Sequence, residues 1–275
     1  MPELPEVETV RRTLAPAIGA KVVAVWDSGK GLHMRRKPPR ALLRTLVGAS
    51  VTAIRRHGKY LLVDFDTART LLVHLGMTGR FLVVPEATPR PKHTHVVLWL
   101  DDGRELRFID ARRFGQIAVL DSARAHEHEA LASLGPDPLE HGIDVTALLA
   151  RAKSKKTTLK AFVLDQTVIA GVGNIYASEA LWRAKLRPST RSNKLTAASA
   201  ARLAKAIDDV LAHALDKGGT SLRDFVDATG TAGENAEYLL VYGRAGEPCA
   251  RCKTPIRRTV HQGRATYYCP TCQTP

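Results

Sequence analysis

The chain has 275 residues, 44% of them hydrophobic, and a net charge of +14 from 41 Lys and Arg against 27 Asp and Glu. That length predicts two or three domains with real cores. No stretch approaches 18 apolar residues, which excludes a spanning helix, and the acidic, proline-bearing start does not read as a signal peptide. The charge is unevenly spread: residues 151–194 carry +8 and residues 244–275 carry +5, whereas residues 195–243 are net −3. Localised basic patches are the electrostatic footprint of a polyanion partner.

In chain order, Met1 precedes Pro2, which is small enough that removal of Met1 is expected. Removal leaves a secondary amine beside the Glu3 carboxylate. An α-amine titrates near about 8, against about 10.4 for lysine. A secondary amine attacking a sugar C1′ gives a cationic iminium, an electron sink of the kind that lysine Schiff bases provide. Proline near an N-terminus also starts helices, so both readings of Pro2 stand at this point. Val7, Val10, Arg11 and Leu14 share one face of a helix predicted from Pro5 to Pro16.

Residues 20–121 then hold eight short β-rich runs, Lys21–Trp26, Ser50–Ile54, Tyr60–Phe65, Thr70–Leu75, Phe81–Val84, His95–Leu100, Glu105–Ile109 and Gln116–Leu120. Many short strands at such spacing predict a β-sandwich or barrel. Gly135-Pro136-Asp137-Pro138 is a boundary signal. Beyond it the pattern turns helical, over Val145–Arg151, Thr158–Asp165, Ile175–Ala184 and Thr196 to about Lys217, the last capped by Gly218-Gly219. In that last helix Leu203, Ala206, Ile207, Val210, Leu211, Ala214 and Leu215 form an apolar stripe for a core. Gly171-Val172-Gly173-Asn174 lies between two of these helices, beside Lys153, Lys155, Lys156 and Lys160. Such a loop serves a tight turn or brings backbone N–H groups to a phosphate.

All four cysteines fall in the last 27 residues, as Cys249-x2-Cys252 and Cys269-x2-Cys272 separated by 16 residues. Two knuckles at this distance can place four thiolates around Zn²⁺ with no position open for chemistry, a structural site in a reducing compartment. Metal binding would help so short a tail to fold. Arg257, Arg258, His261, Arg264, Tyr267 and Tyr268 lie between the knuckles, predicting a hairpin with a basic tip.

Pro2-Glu3-Leu4-Pro5-Glu6-Val7-Glu8-Thr9, His74-Leu75-Gly76-Met77, Asp110-Ala111-Arg112-Arg113-Phe114-Gly115, Gly171–Glu179 and the four-cysteine finger occur together and in order. From Pro2 to Cys272 the chain resembles the formamidopyrimidine-DNA glycosylases, bifunctional glycosylase/AP lyases of the helix-two-turn-helix group. The resemblance implies an α+β multidomain fold. An N-terminal catalytic β-sandwich with a leading helix would span residues 1–130, a helix-two-turn-helix domain with a lesion-recognition loop 131–242, and a zinc-finger hairpin 243–275.

It further implies that Pro2 is the nucleophile on C1′ of a damaged nucleotide and that Glu3 moves protons at the sugar ring. Lys59 matches a lysine assigned to phosphate contact and β-elimination, and Arg264 a finger-tip arginine linked to δ-elimination. Met77, Arg112 and Phe114 match the side chains that fill the void left by a flipped-out nucleotide. His93, Arg112, Lys156 and Asn174 match residues that grip phosphates, with Lys153 and Lys155 as neighbouring alternatives to Lys156. Cys249, Cys252, Cys269 and Cys272 would hold one structural Zn²⁺. The implied partner is damaged double-stranded DNA, bound by a monomer in the bacterial cytoplasm at the nucleoid, with no role for a membrane.

One segment departs from the family. Where its lesion loop commonly ends in Pro-Gly-Tyr-Phe, this chain has Gly230-Thr231-Ala232-Gly233-Glu234-Asn235-Ala236, which bears on lesion preference. Two rival readings are an endonuclease VIII-like enzyme for oxidised pyrimidines and a zinc-bearing module that only binds damaged DNA. Leu4 and the Met77/Arg112/Phe114 set argue against the first. The second gives no reason for Pro2-Glu3.

Overall fold

The structure, a computed structural model, describes residues 1–32 and 40–274. Its contacts divide the chain into two compact units, Met1–Ala132 with Lys217–Glu234, and Ser133–Asp216 with Asn235–Pro275. The expected divisions at 130/131 and 242/243 follow the chain in order. The contacts divide it differently, because residues 217–234 return to the first unit.

Helix α1 (Leu4–Thr13) opens the first unit. Glu6 Oε2 accepts the backbone N–H of Glu3 at 2.7 Å, and Pro5 occupies a first-turn position that needs no intrahelical N–H. The α-helix ends before the expected Pro16, which has no N–H to give to the carbonyl four residues back, and Ala15–Ala17 continue as a 3-10 turn. All eight expected strands form: β1 (Val22–Asp27), β2 (Val51–His57), β3 (Tyr60–Phe65), β4 (Arg69–His74), β5 (Arg80–Pro85), β6 (Thr94–Leu100), β7 (Arg104–Ile109) and β8 (Gln116–Asp121). A short helix, α2 (Arg40–Arg44), was not expected.

The strands make two four-stranded antiparallel sheets, ordered β1-β6-β7-β5 and β2-β3-β4-β8. Leu61, Val63, Leu71 and Val73 from one sheet share a core with Phe81, Val96, Leu98, Leu106 and Phe108 from the other. Val7, Val10 and Leu14 close that core, so the leading helix is part of the sandwich.

The second unit contains α3 (Pro138–His141), α4 (Val145–Ser154), α5 (Leu159–Leu164), α6 (Asn174–Arg183), α7 (Ala197–Asp216) and the antiparallel hairpin β9 (Arg257–His261) and β10 (Arg264–Tyr268). Thr196 and Ser199 cap α7 reciprocally: Ser199 Oγ accepts the Thr196 N–H at 2.8 Å and Thr196 Oγ1 accepts the Ser199 N–H at 3.2 Å. The predicted stripe on α7 is buried from Leu203 to Ala214, and Leu215 is half-buried.

Candidate active site and nucleic-acid interface

In the first unit, Pro2 and Glu3 sit buried at the head of α1, Glu3 only 2% exposed. Glu6 was not singled out in the sequence, yet it organises this end of the helix. Its Oε2 holds the Glu3 N–H, and its Oε1 accepts the N–H of Thr220 at 2.7 Å. One buried carboxylate therefore joins the N-terminus to the segment expected to read the lesion. The only sequence signal was the spacing of Glu3 and Glu6, which is that of a capping box.

Lys59 is buried in the two-residue turn between β2 and β3, flanked by the His57–Tyr60 pair. Gly58 precedes it with φ of 55°, the left-handed conformation that the first position of a type II′ hairpin turn requires. Arg56 fixes this turn to α1: its Nη1 donates to the Gly58 carbonyl at 3.2 Å and its Nε to Glu8 Oε2 at 3.1 Å. Burial pushes the Glu8 carboxyl up, but hydrogen bonds from Arg11, Arg12 and Arg56 outweigh it and hold the pKa at about 2.

The Met77 and Arg112–Phe114 loops are built as one piece. Asp110, fully buried, accepts the Thr78 hydroxyl at 2.6 Å and the Arg112 N–H at 3.2 Å on Oδ1, and the Gly115 N–H at 2.7 Å on Oδ2. A Cβ on Gly76 would lie 2.5 Å from both the Phe114 carbonyl carbon and the Gly115 nitrogen, so the two backbones touch where only glycine fits. Behind Asp110, His95 Nε2 donates to its carbonyl at 3.0 Å, and burial lowers the His95 pKa. On this support Met77 and Phe114 are 41% and 46% exposed, and the Arg112 guanidinium lies 4.8 Å from the Phe114 ring centroid. Exposed apolar side chains on a pinned scaffold suit insertion between bases. His93, with φ of 66°, is exposed just before β6, and its carbonyl accepts the Asp110 N–H at 2.9 Å.

Residues 217–234 form an ordered loop on the same unit. The Glu234 N–H donates to the Lys217 carbonyl at 2.8 Å, and Thr220 pairs with Glu234, which closes the loop at its base. Asp227 Oδ1 gathers the N–H groups of Thr229 and Thr231. The Ala228 N–H donates to Thr13 Oγ1 at 3.0 Å, and the Ala228 carbonyl accepts the Val83 N–H at 2.9 Å. In the departing segment, Thr231, Ala232 and Glu234 are exposed, whereas Asn235 is buried and belongs to the second unit.

In the second unit, Gly173 is the N-cap of α6. Asn174 turns its carboxamide inward, donating through Nδ2 to the Ala265 carbonyl on β10 at 2.9 Å. Its Oδ1 is buried without a hydrogen-bond partner among the described residues. Of the clustered lysines, Lys153 donates to the Asn193 carbonyl at 3.0 Å and Lys155 pairs with Asp165. The Lys156 ammonium is exposed, with no side-chain partner among the described residues. Lys155, Lys156, Asp165, Gln262 and Arg264 line an open groove of about 570 Å³, so α5, the turn before it and the hairpin tip share one basic surface.

The four cysteine sulfurs lie within 4.8 Å of one another, with Cys249–Cys272 at 3.9 Å and Cys252–Cys269 at 3.4 Å. A tetrahedral Zn–S₄ site with bonds of about 2.3 Å needs sulfurs roughly 3.8 Å apart, so this set fits zinc. Trp182 Nε1 donates to Cys249 Sγ at 3.4 Å, the kind of outer contact that orients a thiolate ligand.

Comparison with known proteins agrees along the chain. Residues 1–117 match the formamidopyrimidine-DNA glycosylase N-terminal domain, 134–226 its H2TH domain, and 246–275 the zinc finger found in FPG and IleRS. The formamidopyrimidine-DNA glycosylase of Methylococcus capsulatus is 46% identical over 275 residues, and that of Herpetosiphon aurantiacus 44% over 274; each match covers 99% of this chain and all of the relative. The structure of Lactococcus lactis Fpg with abasic-site DNA superposes with a TM-score of 0.91 at 32% identity, over 99% of this chain and all of the other. A structure of MutM with DNA containing carbocyclic 8-oxo-G gives the same TM-score and identity over the full length of both chains. The chain belongs to the formamidopyrimidine-DNA glycosylase family.

Proposed function

We propose that this protein is a base-excision-repair glycosylase and AP lyase that removes oxidised purines, 8-oxoguanine and formamidopyrimidines, from duplex DNA. The observation that carries the reading is the buried Pro2-Glu3 pair at the head of α1, tied through Glu6 to the loop at Thr220. Relatives and structural neighbours bearing the family name, some solved with Fapy-dG or 8-oxo-G DNA, support it.

Removal of Met1 frees the Pro2 nitrogen. With the nucleotide flipped out, that nitrogen attacks C1′, the bond from C1′ to the base breaks, and Glu3 handles the proton of the opening sugar. The product is an iminium, which acidifies C2′. Loss of a C2′ proton, assisted by Lys59, expels the 3′ phosphate, and a second elimination linked to Arg264 expels the 5′ phosphate, leaving a one-nucleotide gap. Met77, Arg112 and Phe114 fill the vacated stack, and His93, Arg112, Lys156 and the Asn174 turn hold phosphates. Cys249, Cys252, Cys269 and Cys272 hold one Zn²⁺, which when bound supplies a structural cross-link and no reaction step. The protein acts as a monomer in the bacterial cytoplasm at the nucleoid; no described helix is long and apolar enough to cross a membrane.

Borohydride trapping on an 8-oxoguanine·C duplex tests the reading. The Met1-processed chain should give a covalent protein–DNA adduct, and a chain with one residue left before Pro2 should give none. Absence of an adduct from processed protein would defeat the enzyme assignment. Faster turnover of a thymine-glycol·A duplex would transfer it to oxidised pyrimidines.

A further inference from the structure

The loop between β5 and β6 is poor in backbone donors, because Pro85, Pro89 and Pro91 carry no N–H. Residues 86–93 are exposed throughout. Their inward carbonyls are gathered by one side chain, Arg107, on the face of β7 opposite the core residues Leu106 and Phe108. Arg107 is only 2% exposed. Its Nη2 donates to the Thr88 carbonyl at 2.7 Å and the Glu86 carbonyl at 3.4 Å, and its Nη1 to the Pro89 carbonyl at 3.2 Å. Its Nε pairs with the buried carboxylate of Glu105, which also holds Arg90 at 3.5 Å. The Arg90 guanidinium lies 5.0 and 5.4 Å from the ring centroids of Trp99 and Trp26, so the loop is fastened by packing as well as by charge.

A loop satisfied in this way would be of structural interest alone, were it not for its end. His93 has φ of 66°, a left-handed conformation uncommon for a residue with a side chain. Bonds on both sides enforce it: the His93 carbonyl accepts the Asp110 N–H at 2.9 Å, and Thr94 Oγ1 donates to the Pro91 carbonyl at 2.8 Å. The imidazole itself is exposed and has no hydrogen-bond partner among the described residues. Strained backbone persists where its surroundings over-determine it, and it clusters at ligand clamps. Here the backbone is held firmly and the side chain holds nothing, which is the arrangement of a binding residue. Lys92 beside it is exposed as well, so the end of the loop presents positive charge.

We propose that Arg107 is a positioning residue for DNA-backbone binding: by collecting the carbonyls of Glu86, Thr88 and Pro89 it fixes the loop at whose end His93 meets a phosphate. This rests on the DNA-repair reading above. Buried under the loop, Arg107 does not reach the DNA itself and acts by preorganising His93. Lysine in its place would keep a charge beside Glu105 but not the planar fork that reaches three carbonyls.

The test is a double-mutant cycle in full-length, zinc-loaded protein, on a duplex carrying a tetrahydrofuran abasic-site analogue. His93→Ala should raise the Kd about tenfold, the scale of one lost hydrogen bond to a charged group, and Arg107→Lys about fivefold. Residues that act through one contact are not additive, so the double variant should bind within about twofold of His93→Ala. The loss should fall on Kd and KM, with base release at saturating 8-oxoguanine duplex much less affected. An Arg107→Lys Kd equal to that of wild type, a loss confined to the saturated rate, or losses that multiply in the double variant would overturn the proposal. Should Arg107→Lys fail to fold, Thr94→Val decides instead, because it cuts the tie to Pro91 and leaves the buried charges in place. It should raise the Kd in the wild-type background and not in His93→Ala, and a rise in both or in neither would overturn the proposal equally. Failure of wild-type protein to trap an adduct would count instead against the repair reading.

Discussion

Replacing Asp110 by Asn probes the joint that carries Met77, Arg112 and Phe114, the residues proposed to fill the base stack. The native carboxylate is fully buried and accepts three donors, the Thr78 hydroxyl at 2.6 Å and the Gly115 and Arg112 N–H groups at 2.7 and 3.2 Å. An amide keeps one acceptor oxygen and must turn its NH₂ toward one side. Facing Gly115, it meets a backbone N–H that cannot reorient. Facing Thr78, it meets a hydroxyl that can turn to accept, but also the Arg112 N–H that cannot. Either way one backbone donor loses a charged acceptor worth about 1.5–3 kcal/mol. We expect Asp110→Asn to destabilise the first unit by about 3 kcal/mol, the upper part of that range, because the weakened charge also reaches the other two bonds. Urea unfolding followed by Trp26 and Trp99 fluorescence would measure this, and amide exchange would report directly on the Gly115 N–H. Base release should fall at least tenfold, since Arg112 and Phe114 lose their fixed placement. A loss below about 1 kcal/mol with Gly115 as protected as in the native chain would refute the reasoning.

Acid should weaken the tie between α1 and the Lys59 turn. The folded Glu8 pKa, about 2, lies below its ordinary 4.5, so its contribution is complete above pH 4.5 and is lost as pH falls toward 2. At 1.36 kcal/mol per unit the shift corresponds to about 3 kcal/mol, and solvent screening at Arg11 and Arg12 reduces this to about 2 kcal/mol. Urea midpoints at pH 5, 4 and 3 should fall more steeply for wild type than for Glu8→Gln, and parallel slopes would contradict the assignment. Chelation should release one zinc per chain, remove exchange protection from residues 257–268 and abolish tight DNA binding while leaving the first-unit sheets protected. Metal analysis with hydrogen exchange would show this, and a hairpin still protected without metal would exclude a structural role for the cysteines.

Much of the architecture could be read from local pattern. The eight strands announced themselves by short β-branched runs between turn residues, α7 by its apolar stripe, and the metal site by cysteine spacing. What escaped is non-local or inverted. Glu6 reaches Thr220 across 214 positions, and no periodicity signals such a contact. Helix α2 spans only five residues, too few for the spacing of Leu42, Leu43 and Leu46 to stand out as a helical repeat. Lys160 has the sequence context of a surface charge and the burial of a core residue. Asn174 donates its carboxamide to the Ala265 carbonyl of the hairpin, 91 positions away, a contact that no local pattern announces. For Glu6, Lys160 and Asn174 alike, the hydrogen bonds join segments distant in sequence, to which composition is blind.

The return of residues 217–234 to the first unit makes the order of synthesis matter. Emerging from the ribosome, the sandwich strands and the N-terminal proline appear first. The Glu6 carboxylate, the Thr13 hydroxyl and the Val83 N–H then wait through all five helices of the second unit for Thr220 and Ala228. A chain released early would present the N-terminal proline without the loop that packs against its helix. In this protein the proposed nucleophile is made first, and the loop joined to its helix through Glu6 follows 214 positions after that carboxylate.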